Sequence, residues 1–327
     1  MQHLFKYFIW YVLIATFSCF SFLIPNFSSA TNIQNILIGG SVLGIMVIGQ
    51  ALCLFARNLD LSAEGNVSIV TVIAAWLMLP AAESTFAQAG GLGIELVPAL
   101  VVPIMLILGT IFGFINGLLI AYVGMNFFIV TLAMQLVLRG FGYVISEGAV
   151  MPGTPDSFNF LGGGQLYEVP MPIITMIVVF LVVHFFVKQT TLGRRILFVG
   201  SNIKTAQTVG IDQKRIVLFV YSVSGFLAAF AGWMLLGKLE TSVPNLGAEL
   251  TLNVVAAAVI GGVSLKGGEG SLIGALAGVL LLAIINNALN LMNVDPYWVN
   301  AVRGFIILVA LITVSYTHLT LPTSQYV

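Results

Sequence analysis

Apolar runs long enough to cross a bilayer recur along this chain with only short polar interruptions, beginning with FKYFIWYVLIATFSCFSFLI at positions 5–24. A helix of about 20 apolar residues crosses the hydrocarbon core, and a segment in lipid must satisfy its backbone polar groups internally, which leaves helices or closed barrels. These runs have helix length. The expected fold is therefore all-α and polytopic, with about ten transmembrane helices near 5–24, 35–56, 64–80, 97–122, 127–145, 169–187, 216–237, 249–262, 271–291 and 297–315. The third and eighth are short, with glycine or polar residues at one end, and are expected to be re-entrant or broken. Composition agrees: 59% of residues are hydrophobic and 7% charged, against roughly 45–50% and about 25% in soluble domains, so 327 residues could not clothe a water-exposed surface. The first run exceeds the roughly 7–15 apolar residues of a secretory signal, and although FSSA at 27–30 faintly matches a cleavage site, an uncleaved first helix is expected.

Lys and Arg set the orientation, because cytoplasmic loops carry an excess of them. With the N-terminus inside, Lys6, Arg57, Lys188, Arg194, Arg195, Lys204, Lys214, Arg215 and Lys266 are cytoplasmic. The loops 81–95 and 146–168 carry Glu83, Glu95, Glu147, Asp156 and Glu168 without Lys or Arg, and belong outside. An internal repeat supports the same count. LSAEGNVSIVTVIAAW from Leu61 matches LGAELTLNVVAAAVIGG from Leu246, and LRGFGYVI at 138–145 matches VRGFIILV at 302–309. Each pair falls on the third and fifth span of its half. Five spans per half is odd, so the second half enters inverted, a 5+5 arrangement common in transporters.

The stretch from Lys188 to Arg215 holds six of the twelve basic residues and one acid, Asp212. Within it, NIKTAQTVGI reads as a short surface helix that starts at Asn202, sets Ala206 and Val209 on one face and stops at Gly210. Charge alone supports two readings: a topology anchor touching anionic head groups, or a docking helix for a cytoplasmic partner.

The sequence from Thr190 to Ile312, with NLDLS at 58–62 and NGLLIAYVGMNFFIVTLAMQLVLRG at 116–140, resembles the permease subunits of bacterial ABC importers of the ribose/simple-sugar type over roughly 35–312. The resemblance implies a single transmembrane permease domain, 1–314, in the bacterial inner membrane, whose segment 188–215 contains a coupling helix that seats in an ATP-hydrolysing subunit. Asn202, Lys204, Ala206, Gly210, Ile211, Lys214 and Arg215 would make that contact, with Ala206 and Gly210 as the small residues permitting close approach. It further implies a periplasmic or lipid-anchored substrate-binding protein and a second permease copy, most simply a homodimer. GGVSLKGGEGS at 261–271 lacks the GxxxxGK[ST] order of a phosphate-binding loop, so hydrolysis is expected on another polypeptide and this chain is not expected to be an enzyme. The family's loop more often reads Asp-Leu-Ser-Val-Gly-Ser where this chain has DLSAEG. SYTHLTLPTSQYV carries no Lys or Arg where the family usually ends in a charged tail, so residues 315–327 are expected to be a truncated or mis-assembled terminus.

Polar residues inside apolar spans need a partner or a watery wall. Arg139 and Arg303 hold equivalent places in the repeat, in the outer half of the bilayer, and either line an outward vestibule or cap carbonyls of a broken neighbouring helix. Asn116, Gln135, Asn253, Asn286, Asn287 and Asn290 could offer an uncharged, hydroxyl-rich solute modest hydrogen bonds, with Asn286 and Asn290 on one helix face. The same amides suit interhelical bonds averaging about 0.6 kcal/mol. Asp60 and Glu64, after Arg57 at the inner end of the second span, suit the positive end of a broken helix. GTIFGFING at 109–117 and GALAG at 274–278 have the small-xxx-small spacing of close helix packing. His3, His184 and His318 are scattered and Cys19 and Cys53 form no CxxC pair, so no catalytic, cofactor or metal site is expected. No nucleic acid is expected as a partner. A permease for branched-chain amino acids or nucleosides is the nearest alternative, and an ion-coupled secondary transporter the alternative of another class. The latter usually needs buried Asp, Glu or His in mid-span, and the sequence offers almost none.

Overall fold

The computed structural model describes residues 8–81 and 88–295 with six positions between Trp298 and Leu308. Within these residues the fold is carried by α1 (Phe8–Leu23), α2 (Ala30–Phe55), α3 (Ala63–Met78), α4 (Pro98–Leu118, extended by a π turn at Leu119–Val123), α5 (Phe127–Ile145), α6 (Asp156–Gly163), α7 (Met171–Gln189), α8 (Thr191–Ser201), α9 (Ile203–Thr208), α10 (Gln213–Leu239), α11 (Leu250–Ile260) and α12 (Leu272–Leu291). Helices α2, α4, α5, α7, α10 and α12 are long and apolar enough to cross a membrane, whereas α1, α3 and α11 are apolar but only 16, 16 and 11 residues long. The short α3 and α11 fall at the third and eighth expected spans. The tenth, near 297–315, lies for the most part outside the described residues, as do Arg303 and residues 315–327. Helices α6 and α8 fall between the expected spans, where the sequence reading places no helix.

Local signals explain most of the boundaries. Ser29, Asn126 and Thr190 accept backbone N–H groups at the starts of α2, α5 and α8, and Pro98 opens α4 where its missing N–H costs nothing. Helix α10 occupies the middle of the bundle, packed on α4, α2, α6 and α3. Its contact with α4 runs backbone to backbone: a Cβ at Gly109 would crowd the Gly225 carbonyl, one at Gly113 would fall on the Tyr221 carbonyl, and one at Gly117 would press on Leu218. Gly274 and Gly278 of α12 meet the Gly261 and Ala257 carbonyls of α11 in the same way. The two glycine strings thus serve as packing seams, as their spacing predicts. Side chains such as Ile107, Leu136, Val144 and Val182 project from the outer faces of α4, α5 and α7, the surface of a bundle whose solvent is hydrocarbon.

The two ends of the bundle differ in charge. At one, Gly268 N–H donates to the Phe55 carbonyl (3.0 Å) and Ser201 Oγ to the Gly268 carbonyl (3.3 Å), tying the end of α2 to α8 and the 261–271 loop. Arg57, Lys188, Arg194, Arg195, Lys204, Lys214, Arg215 and Lys266 belong to this basic end. At the other, Ala89 N–H donates to the Val150 carbonyl, and strand β1 (Met151–Pro152) pairs antiparallel with β4 (Thr241–Ser242). The loops there include Glu95, Glu147 and Glu168, and Asp156 opens α6 between them. A further two-residue ladder joins β2 (Gln165–Leu166) to β3 (Val169–Pro170).

Candidate coupling surface and buried polar site

Residues 202–212 fold by short-range rules. Asn202 Oδ1 accepts the Thr205 N–H (3.0 Å) and starts α9. Gly210, at φ +78°, takes the left-handed conformation that ends it, so that the Ile211 and Gly210 N–H groups return to the Ala206 and Gln207 carbonyls (2.9 and 3.1 Å). Asp212 Oδ1 then accepts the Lys214 N–H (2.9 Å) to start α10, while its other oxygen pairs with Arg215 Nε at 3.0 Å. The rod's face differs from the expected one. Ala206 is fully buried in this chain's own core, whereas Val209 lies just beyond the last helical residue and is 61% exposed. A six-residue helix ends before Val209 can share a face with Ala206. Ala206 therefore seats the rod on its own bundle, and Lys204, Thr205, Gln207 and Thr208 face outward.

The rod is held against the bundle at both flanks. A Cβ at Gly200 would fall on the Phe55 carbonyl, so α8 approaches α2 at backbone distance. Lys214 Nζ stands 5.4 Å from the Tyr122 ring centroid, a cation–π contact with the π turn of α4. Between rod and bundle lies a cleft of about 280 Å³ bounded by Asn58, Ile120, Gln207, Ile211, Lys214 and Val217. Nothing crowds Gly210 within 4 Å, so Gly210→Ala is expected to cost about 1 kcal/mol through left-handed strain alone, and Gly210→Asn less. Faster deuterium uptake at the Ala206–Ile211 amides would report it.

A second polar group lies deep in the bundle. After Phe55 the chain turns at Arg57 (φ +62°) and runs back between the helices before α3 begins. Gly65 lies against the backbone of Gln135, eight residues into α5 and therefore about 12 Å above its start. Helix α3 thus opens inside the membrane. This relocates Asp60 and Glu64, which are only 1% and 5% exposed, away from the inner boundary assigned from sequence. Asp60 Oδ1 accepts Ser62 N–H and Oγ (2.9 and 2.6 Å), and Oδ2 accepts Ser224 Oγ (2.7 Å). Asn116 Nδ2 donates to Ser62 Oγ (2.8 Å), Tyr221 OH to the Leu59 carbonyl (2.9 Å), and Asn66 Nδ2 to the Gly109 and Gly225 carbonyls (3.1 Å each).

Glu64, in the first turn of α3, forms an ion pair with Arg139 of α5. Arg139 was expected to face a vestibule or to cap carbonyls of a broken neighbour; its neighbour is a short helix opening in mid-membrane, and the acceptor is a carboxylate. The Arg139 side chain retains 29% exposure, whereas that of Glu64 retains 6%. Asn116 and Gln135 therefore belong with Asp60, Glu64 and Arg139 around the start of α3. Asn286 and Asn290 belong elsewhere: α12 packs mainly on α2, α11 and α1, with Asn286 half-buried and Asn290 exposed. Among the described residues no three His, Cys, Asp or Glu gather to hold a metal ion.

Comparisons with known proteins place the whole chain in a family. Residues 32–311 match the family described as the branched-chain amino acid transport system permease component. The ribose import permease protein of Haemophilus influenzae is 34% identical over 308 residues, covering 93% of this chain and 91% of the relative. An L-arabinose ABC transporter permease protein of Azospirillum brasilense is 32% identical over 92% of this chain and 85% of its own length. The galactose/methyl galactoside import permease protein of Escherichia coli K12 is 32% identical over 92% and 91%. No solved structure matches the chain.

Proposed function

Since this chain belongs to the family of branched-chain amino acid transport system permease components, we propose that it forms the membrane path of an ATP-driven importer and is moved through the rod at 202–210. It is a sugar ABC permease and not an enzyme: relatives similar over nine-tenths of the chain are import permeases for ribose, arabinose and galactose. Those names favour a monosaccharide over branched-chain amino acids or nucleosides. The reading assigns hydrolysis to a separate cytoplasmic ATPase subunit and solute delivery to a periplasmic or lipid-anchored binding protein. It takes two permease copies around one path, and sets the N-terminus and the basic end in the cytoplasm of a bacterial inner-membrane protein.

The observation that carries it is the capped rod itself, fixed to the bundle by Ala206 and turning Lys204, Gln207 and Thr208 outward at the basic end. An ATPase closing and opening would push on Asn202, Lys204, Gly210, Ile211, Lys214 and Arg215, with Ala206 as the footing, and two rocking halves supply the discrete arrangements such coupling needs. We take the chain as one permease domain, 1–314, of ten spans in two inverted sets of five. That register sets Glu249 in the place of Glu64, and Arg303 in the place of Arg139. Asn116, Gln135 and Arg139 are assigned to the path in the first half, and Asn286, Asn290 and Arg303 in the second. A proton- or ion-coupled carrier gains no support from the two buried carboxylates, because Asp60 is engaged by hydroxyls and Glu64 by Arg139.

Lys204→Cys carrying a short photoactivatable crosslinker is expected to trap a nucleotide-hydrolysing subunit in membranes. The same reagent at Glu147→Cys, at the acidic end, should not. Capture of the ATPase from position 147 instead, or uptake by the reconstituted permease without any ATPase, would overturn the reading.

A further inference from the structure

We propose that Asp60 is a positioning residue that clasps the interior start of α3 to α10, so that displacement of the rod at 202–210 is passed to the Glu64–Arg139 pair. This rests on the reading of the chain as an ATP-driven permease. Helix α10 begins one residue after Asp212 and runs 27 residues without a proline, so a push on the rod arrives at Ser224 as movement of one continuous helix. Ser224 lies eleven residues into it, about 16 Å from its start.

At that level α10 holds the chain between α2 and α3, and the first turns of α3 itself, by three successive bonds. Tyr221 OH donates to the Leu59 carbonyl, Ser224 Oγ to Asp60 Oδ2, and Asn66 Nδ2 to the Gly225 carbonyl. Asp60 is the pivot, since its other oxygen takes both the N–H and the hydroxyl of Ser62, the residue immediately before α3. No Lys, Arg or His pairs with it within salt-bridge distance among the described residues. A buried carboxylate answered only by hydroxyls and a backbone N–H is held by directed bonds, and directed bonds transmit position. Two residues beyond Ser62, Glu64 meets Arg139, so one short segment joins the helix leaving the rod to the ion pair whose Arg139 is assigned to the path.

Purified complex with its ATPase and binding protein is placed in proteoliposomes, and labelled ribose, arabinose or galactose is used, whichever the wild type imports. The ratio of sugar imported to ATP hydrolysed is the readout. In the double variant Tyr221→Phe/Ser224→Ala both hydroxyl ties from α10 are cut while Asp60 keeps Ser62. Hydrolysis should persist and the ratio fall by on the order of tenfold; Ser224→Thr, which keeps a hydroxyl, should retain the wild-type ratio. Uptake and hydrolysis declining together, at an unchanged ratio, would overturn the clasp and leave a merely structural bond. Should the double variant fail to assemble, Ser224→Ala alone decides by the same ratio, and failure of that variant to assemble also counts against transmission. A wild type that imports no sugar on ATP hydrolysis refutes the underlying reading instead, so the two failures are distinct.

Discussion

Arg139→Ala is expected to lose about 3–5 kcal/mol of stability and with it sugar uptake, because removing one partner of a buried ion pair strands the other. Glu64 has no water to turn to, its side chain being 6% exposed. Glu64→Gln strands a guanidinium in the bundle, although Arg139, at 29% exposure, is less enclosed than Glu64, so its loss should be the smaller. Neutralising both, as Glu64→Gln/Arg139→Gln, should recover part of the stability of Arg139→Ala, since no unpaired charge then remains. The reversed pair Glu64→Arg/Arg139→Glu should recover less than the neutral pair. It sets a cation in the first turn of α3, where the positive end of the helix dipole favours an anion. Thermal unfolding of the detergent-solubilised protein, with uptake in cells, measures the series. An Arg139→Ala protein that melts and transports like the wild type would remove the pair from both fold and path.

What the sequence could and could not reveal divides by the range of the interactions. The rod's ends were legible because Asn202 and Gly210 act on neighbours three or four residues away. The glycine seams were legible because GxxxG spacing places small residues on one helix face whatever lies opposite. The interior start of α3 was not. Charges at Arg57, Asp60 and Glu64 ordinarily mark a membrane boundary, and the groups that make two of these acceptable inside come from afar: Ser224 lies 164 positions from Asp60, and Arg139 comes from another helix altogether. That Ala206, expected on the partner-facing side of the rod, turns toward its own bundle was likewise not legible, since it depends on where the rest of the bundle stands. One signal was available, the equivalence of Leu61 with Leu246 in two short, broken spans, but it marks a helix that begins late without saying how deep.

Gly113→Val is expected to be among the most damaging single substitutions in the transmembrane bundle, leaving little or no monodisperse protein after extraction. The site for a Cβ at Gly113 is already filled by the Tyr221 carbonyl, with the Gly225 Cα close by. Backbone cannot rotate aside as a side chain can, so α4 and α10 must separate, and the usual 1–3 kcal/mol of overpacking is a lower bound. Separation also reaches the polar site, because Asn66 spans the seam from Gly109 to Gly225 at 3.1 Å on each side and cannot keep both acceptors as the gap widens. Tyr221 and Ser224 ride on the displaced helix, so the bonds to Leu59 and Asp60 are lost in the same movement. Gly140→Val is the matched control: it adds the same atoms to a membrane helix at an exposed position with nothing within 4 Å, and should change yield and melting little. Helix association in lipid draws on close packing rather than on expulsion of water, so the cost follows from contact geometry, and the contrast between positions 113 and 140 isolates it from any general intolerance of valine. Equal yields from the two variants would mean that α4 and α10 do not meet along the glycine row, and the clasp at Asp60 would lose the helix that holds it.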